Sequence, residues 1–314
     1  MNLDKKDLVY FKQNSQSLKE TLVVSIERGA FKNVLLELND YLKTSQEIKL
    51  VLVCDPTKTS EGEIICNLEV LKYLGNLQKI DILVNSSMPL ESISELEVVK
   101  DLKSLKISGF YNKKINLSTL KRFKNIKELS LENGLSKKDY FLLNSKLKVL
   151  EVRELNIDYV ERNENLEELT IFHKLSGEKK LVEKFPNLKS LKLKNCNQIE
   201  DFAFISPLNS LENLSFNSVR NLKFVPKLSS NTIKRLEILN CKNLNSIKTI
   251  SSFSLLERLA ITDANIDFQE IQDISEDLRL EIFYFRSKGN KENDIFEALS
   301  QKNGFQNTHR GFWR

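Results

Sequence analysis

The sequence predicts an α/β solenoid: a curved stack of short repeats with a parallel β-sheet along its concave side and an irregular or short-helical convex side. Three observations lead there. A six-residue phrase, apolar-x-x-apolar-x-apolar, returns along most of the 314 residues at spacings of 19 to 25. Within each phrase the last two apolar positions are two apart, so both point to one face of a short strand. The composition, 40% hydrophobic and 29% charged with 9 Gly and 5 Pro, is too apolar for disorder and too poor in glycine and proline for a linker-rich assembly.

The phrase reads Leu77…Ile80…Ile82, Leu102…Leu105…Ile107, Ile126…Leu129…Leu131 and Leu147…Leu150…Val152. It continues as Leu166…Leu169…Ile171, Leu188…Leu191…Leu193, Leu211…Leu214…Phe216, Ile233…Leu236…Ile238 and Leu256…Leu259…Ile261. One such strand is too short to bury its apolar face alone; copies stacked side by side form a parallel sheet with a continuous core behind it. Two copies extend further, to Cys196 and Ile199 and to Cys241 and Leu244. On these residues the chain resembles the leucine-rich-repeat family over about two-thirds of its length.

The resemblance implies Asn or Cys at the ninth position of a repeat, its side chain bonded to the turn backbone. Cys196 and Cys241 fit; Phe110, Gly134, Leu155, Val219 and Ala264 do not, so irregular turns are expected. The longer early repeats leave room for short helices over Leu68–Leu74 and Leu117–Phe123.

A solenoid needs covered ends. Residues 1–47 are expected to form an N-terminal cap, with an amphipathic helix over Ala30–Leu42 that gathers Phe31, Val34, Leu35, Leu38 and Leu42 on one face. The solenoid itself spans 48–285, opening on Ile48–Cys54, a strand apolar on both faces. Leu278–Phe285 begins one-sided and ends apolar on both sides, so Phe283 and Phe285 require cover. Residues 286–314 can supply it from Ile295, Phe296, Leu299, Phe305, Phe312 and Trp313. The other reading of the tail is a recognition peptide anchored by Phe312, Trp313 and Arg314, since aromatics and arginine dominate binding hot spots.

Motifs for chemistry are scarce. Neither Gly-x-Gly-x-x-Gly nor Gly-x4-Gly-Lys occurs, and the two histidines, His173 and His309, are far apart in sequence. No cofactor, no metal and no catalytic residue is expected. Cys54 and Cys66 flank a polar loop without a base nearby; Cys196 and Cys241 read as small buried hydrophobes; His309 reads as a surface residue. The charge of +5 is small for this length and does not mark a nucleic-acid binder. Met1–Asp7 is charged and leads into no long apolar run, so neither a signal peptide nor a membrane span is expected, and the expected compartment is the cytoplasm.

In this architecture the third, fifth and seventh residues of each phrase line the concave face. The copies from 126 to 166 present Glu128, Glu132, Glu151 and Glu168 against Arg153, with Phe172 as an apolar position. Those from 188 onward present Lys192, Lys194, Arg235 and Arg258 against Glu237, with Leu239 apolar. An ordinary solvated sheet face is one reading. A dipolar surface for a single protein partner is the other, with charge setting encounter and orientation. The glutamates would repel phosphate, so nucleic acid is not expected. The functional expectation is a non-enzymatic protein-binding solenoid, of the immunity type that sequesters a toxin. The alternatives are an adaptor joining two proteins, or an effector that binds a host protein.

Overall fold

A strand of four to six residues buries only every second side chain, so it needs neighbours on its edges and a layer behind it. The computed structural model describes residues 23–313 apart from 28, 46–47, 56–57, 86–88, 110, 134 and 230, and shows how the repeats meet that need. The chain divides into two compact units, 1–152 and 153–314.

In the first unit β1 (Val23–Ile26), β2 (Lys49–Cys54), β3 (Lys79–Val84), β4 (Ser104–Gly109), β5 (Glu128–Leu131) and β6 (Val149–Asn156, which runs across the division) follow one another, each parallel to the last. Their register stacks Leu50, Ile80, Leu105, Leu129 and Leu150 in one row and Leu52, Ile82, Ile107, Leu131 and Val152 in a second. Every one of these is buried, and each stabilises the stack by about 1.5–3 kcal/mol relative to exposure. The sequence reading assigns no strand before Ile48. The structure has β1 there, with Val24 and Ile26 buried behind Leu50 and Leu52.

Helix α1 (Lys32–Leu42) follows, starting two residues later than the predicted helix because Phe31 serves as its N-cap with an extended backbone. It buries Val34, Leu35, Leu38 and Leu42. The return segments of this unit are 3-10 turns: Asn67–Tyr73, Ser94–Val98, Ser118–Arg122 and Lys137–Leu142. The first and third lie where the sequence places short helices. At the fourth, Ser136 and Asp139 form a reciprocal capping box.

In the second unit β7 (Glu168–Ser176), β8 (Ser190–Lys194), β9 (Asn213–Asn217), β10 (Arg235–Leu239), β11 (Arg258–Thr262) and β12 (Ile282–Arg286) repeat the pattern, all parallel. The short α2 (Leu181–Lys184), and turns at Ala203–Ile205 and Lys248–Ser252, return the chain between them. The observed architecture is the α/β solenoid of leucine-rich repeats that the sequence predicts.

Four of these strands, β8 to β11, end in the same turn. Asn195, Ser218, Asn240 and Asp263, the eighth residue of successive copies, have φ of 53°, 56°, 55° and 49°. This is the left-handed region that Asn and Asp tolerate best among non-glycine residues. Their N–H groups donate to the carbonyls of Asn217, Leu239, Thr262 and Arg286 on the next strand, at 2.8–3.1 Å. The last copy is closed by α3 (Phe268–Asp277) and α4 (Asn290–Asn303). Phe283 points into the core against Phe296 and Phe305, with ring centroids 4.9 and 5.5 Å away, while Phe285 lies on Phe296 and Phe268. Gln306 exchanges backbone hydrogen bonds with Glu281 and Phe283, which covers the outer edge of β12.

Candidate protein-binding face

Parallel strands in strict register align their outward side chains in rows, about 4.8 Å from strand to strand. The positions named from the sequence therefore form continuous surfaces within each unit. In the first, one row runs Lys49, Lys79, Ser104, Glu128, Val149 and the next Val51, Asp81, Lys106, Ser130, Glu151. Glu128 and Glu132 are exposed; Glu132 accepts the Gly109 N–H at 2.9 Å. Glu151 is half-buried and accepts the Ser130 hydroxyl at 2.9 Å. Lys49 pairs with Asp81 at 2.9 Å. The sequence reading starts this face at Ile126 and so omits Lys49, Lys79, Asp81 and Lys106. With them, the face of the first unit carries both signs of charge.

In the second unit Arg153, Glu168 and Lys194 are exposed, while Phe172, Arg235 and Leu239 are half-buried. Arg235 donates to the Asn213 side chain at 3.2 Å. Lys192, Glu237 and Arg258 have a different setting, because the C-terminal segment lies across them. The fifth-position row here is Thr170, Lys192, Ser215, Glu237, Ala260, Tyr284. Its small residues, Ser215 and Ala260, leave space above the sheet, and Phe312 fills it over Ala260 and Ile282, with Tyr284 and Trp313 alongside. Ala260 and Phe312 are 0% and 1% exposed, although both sit on the sheet face that faces away from the core.

Glu237 is the polar centre of this arrangement. One carboxylate oxygen accepts the Ser215 hydroxyl at 2.6 Å. The other accepts His309 Nε2–H at 2.7 Å and the Trp313 indole N–H at 3.2 Å. A carboxylate that is only 6% exposed needs such partners, since burying it without them costs several kcal/mol, about 3–5 when one partner of a buried pair is removed. Arg258 donates from its Nη1 to the carbonyls of Gly311 and Phe312, at 3.0 and 3.3 Å, while its Nε and Nη2 hold Glu281 at 3.1 Å. Lys192 places its ammonium 4.0 Å from the centre of the Trp313 ring. His309 stacks on Phe312 with ring planes 8° apart. The turn that brings these groups together requires a left-handed residue, supplied by Gly311 at φ 79°. Arg314 lies outside the described residues.

His309 is the contact residue of this face that sequence reasoning misses. It is partly exposed, as a surface histidine is, yet it binds a carboxylate 72 positions earlier. The signal available in the sequence was the outward apolar pair Ile282 and Tyr284, which calls for cover on that face as well as in the core.

The thiols have no part in this face. Cys196 and Cys241 are fully buried and donate to the carbonyls of Ile171 and Phe216, each at 3.7 Å. Burial pushes their pKa up to about 12 and about 11. Cys54, also buried, is pushed up to about 12 by burial and then by Glu95. Among the described residues no group of three or more His, Cys, Asp and Glu is placed to hold a metal ion, and no helix is long and apolar enough to cross a membrane.

No protein-family model and no curated protein matches the sequence. Solved structures of leucine-rich-repeat proteins do match in backbone. Internalin F of Listeria monocytogenes has 17% identity over 82% of this chain and 91% of its own, with a TM-score of 0.40. Internalin C2 of the same organism has 16% identity over 84% and 100%, with a TM-score of 0.35. The Leptospira interrogans leucine-rich-repeat protein LIC12759 has 16% identity over 96% and 98%, with a TM-score of 0.39. The fold assignment above stands on this chain's own strand order, register and repeated turns.

Proposed function

We propose that this chain is a non-enzymatic binding protein that holds one protein partner against the outward faces of its strands, and that it works as an immunity-type inhibitor sequestering a toxin in the cytoplasm. The observation behind the reading is the register of the outward rows. Within each unit, charged side chains repeat at the strand spacing, a surface of the kind that steers and orients a protein. The apolar and aromatic groups within it, Phe172 and Leu239, supply the desolvated contacts that such interfaces need at their centres. An adaptor that used the strand face and the tail for separate partners gains less support, because the tail lies on the face.

The test is capture from a lysate of the source cells with tagged wild-type protein and with a bait carrying Glu128→Lys, Glu168→Lys and Lys194→Glu, all exposed positions. One stoichiometric partner lost by the charge-reversed bait, and toxic when expressed alone, supports the proposal. Equal retention of every captured protein by both baits rejects the strand faces as the binding surface.

A further inference from the structure

The last six described residues lie outside the hydrophobic cap on the core side of the sheet. That cap is complete by Gln306: α4 and Phe305 cover Phe283 on the core side, and Gln306 pairs with the edge of β12. Residues 308–313 then pass to the opposite face of the sheet. There, no backbone-to-backbone hydrogen bond joins them to a strand among the described residues. The polar contacts to the strands run through side chains: His309 and Trp313 to Glu237, Arg258 to two carbonyls, Lys192 to the indole ring. Buried aromatic anchors, an arginine reading peptide carbonyls and a carboxylate reading N–H donors are the makings of a peptide-recognition site, not of a repeat stacking on its neighbour.

We propose that Lys192, Glu237 and Arg258, on a floor of Ala260, Ile282 and Tyr284, form a peptide-binding site that the chain's own residues 308–313 occupy in the free protein. The partner segment that replaces them has the same chemistry: an apolar ring for the floor, next to an aromatic side chain whose N–H reaches Glu237. Glu237 sets the specificity, because a segment without such a donor leaves the buried carboxylate short of a partner. The tethered tail competes at an effective concentration on the order of millimolar, so only a partner with further contacts on the face displaces it. The inference rests on the reading of the outward face as a binding surface. Its test uses no partner, so either can fail without the other.

Trp313 is the only tryptophan in the chain, which makes occupancy measurable. The full-length chain is prepared with His309→Ala and Trp313→Ala, and a labelled synthetic peptide of residues 306–314 is titrated in by fluorescence anisotropy. Saturable one-to-one binding is expected, with the peptide's tryptophan emission shifting to shorter wavelength. The wild-type chain should bind the peptide at least about tenfold more weakly, because its site is filled. Adding Glu237→Gln to the variant, or Phe for Trp in the peptide, should each weaken binding by about tenfold, as expected for losing a hydrogen bond to a charged group. If the double variant loses its wild-type circular dichroism, Trp313→Phe alone takes its place, since it keeps a ring and removes only the N–H donor. A folded variant that does not bind the peptide overturns the proposal. So does binding indifferent to Glu237→Gln, equal affinity for wild type and variant, or a concentration-dependent dimer that exchanges tails between chains.

Discussion

At the scale of single residues the repeat is held by positions that carry no apolar signal. The eighth residue must adopt a left-handed backbone, and Asn195, Asn240 and Asp263 do so at low cost, whereas Ser218 does not. Ser218→Asn is therefore expected to stabilise the chain by about 0.5–1 kcal/mol, read as a higher midpoint in urea; no change would mean that the Ser218 hydroxyl's bond to Asn217 offsets the strain. The ninth residue matters for another reason. Cys196 and Cys241 each tie a turn to the preceding repeat, so Cys241→Ala should cost about 1–2 kcal/mol. Their raised pKa values also set a pH dependence. The unfolded thiols ionise near 9.0, the folded ones at about 11 to 12. Stability is therefore complete below pH 9 and falls as pH rises through that window, because only the unfolded chain gives up its protons there. Denaturation midpoints measured from pH 8 to 11 should decline, and less steeply for a chain with Cys54, Cys196 and Cys241 changed to Ala. A parallel decline in both would assign the pH effect to other groups.

Elements are where sequence reasoning was strongest, and where its failures have physical causes. The nine phrases were legible because each strand needs two inward apolar residues at period two, and every such residue is buried as the pattern requires. β1 was not legible: Val24 and Leu50 are register partners with α1 inserted between them, and the position three before Val24 holds Thr21, not an apolar residue. The last strand was half legible. Its apolar residues on both sides announced cover on both sides, but not that one cover is a helix and the other a turn of the tail. The two covers differ in importance. Phe296 is fully buried among Phe283, Phe285 and Phe305, so Phe296→Ala should cost about 3–5 kcal/mol. Ending the chain after Asn307 removes one fully buried ring and one half-buried one from an otherwise complete cap, and is expected to cost less, about 2–3 kcal/mol, partly regained as chain entropy. Thermal melts of the two variants decide the order. A truncation as damaging as Phe296→Ala would make residues 308–313 part of the structural cap.

Across the whole molecule, charge and fold separate. The exposed charges of the outward rows contribute little to stability, because ion pairs between solvated side chains are worth about 0–1 kcal/mol in water. Reversing Glu128, Glu168 and Lys194 should therefore leave the unfolding midpoint within about 0.5 kcal/mol of wild type, although it changes the field that an approaching protein meets. This separation also explains why the partner surface was only partly readable. Apolar positions declare themselves by period, while outward positions are defined only once the register is known, and a side chain such as Glu237 takes its role from a histidine and a tryptophan more than seventy residues away. If the charges serve association, their reversal should lower the association rate with the captured partner more than it raises the dissociation rate. The difference should shrink from 20 mM to 500 mM salt as the Debye length contracts, from about 10 Å at 0.1 M to about 3 Å at 1 M. Surface plasmon resonance at several salt concentrations separates the two rates. An effect confined to dissociation and insensitive to salt would place Glu128, Glu168 and Lys194 in direct desolvated contact with the partner, and the steering role would then fall to other charges on the rows.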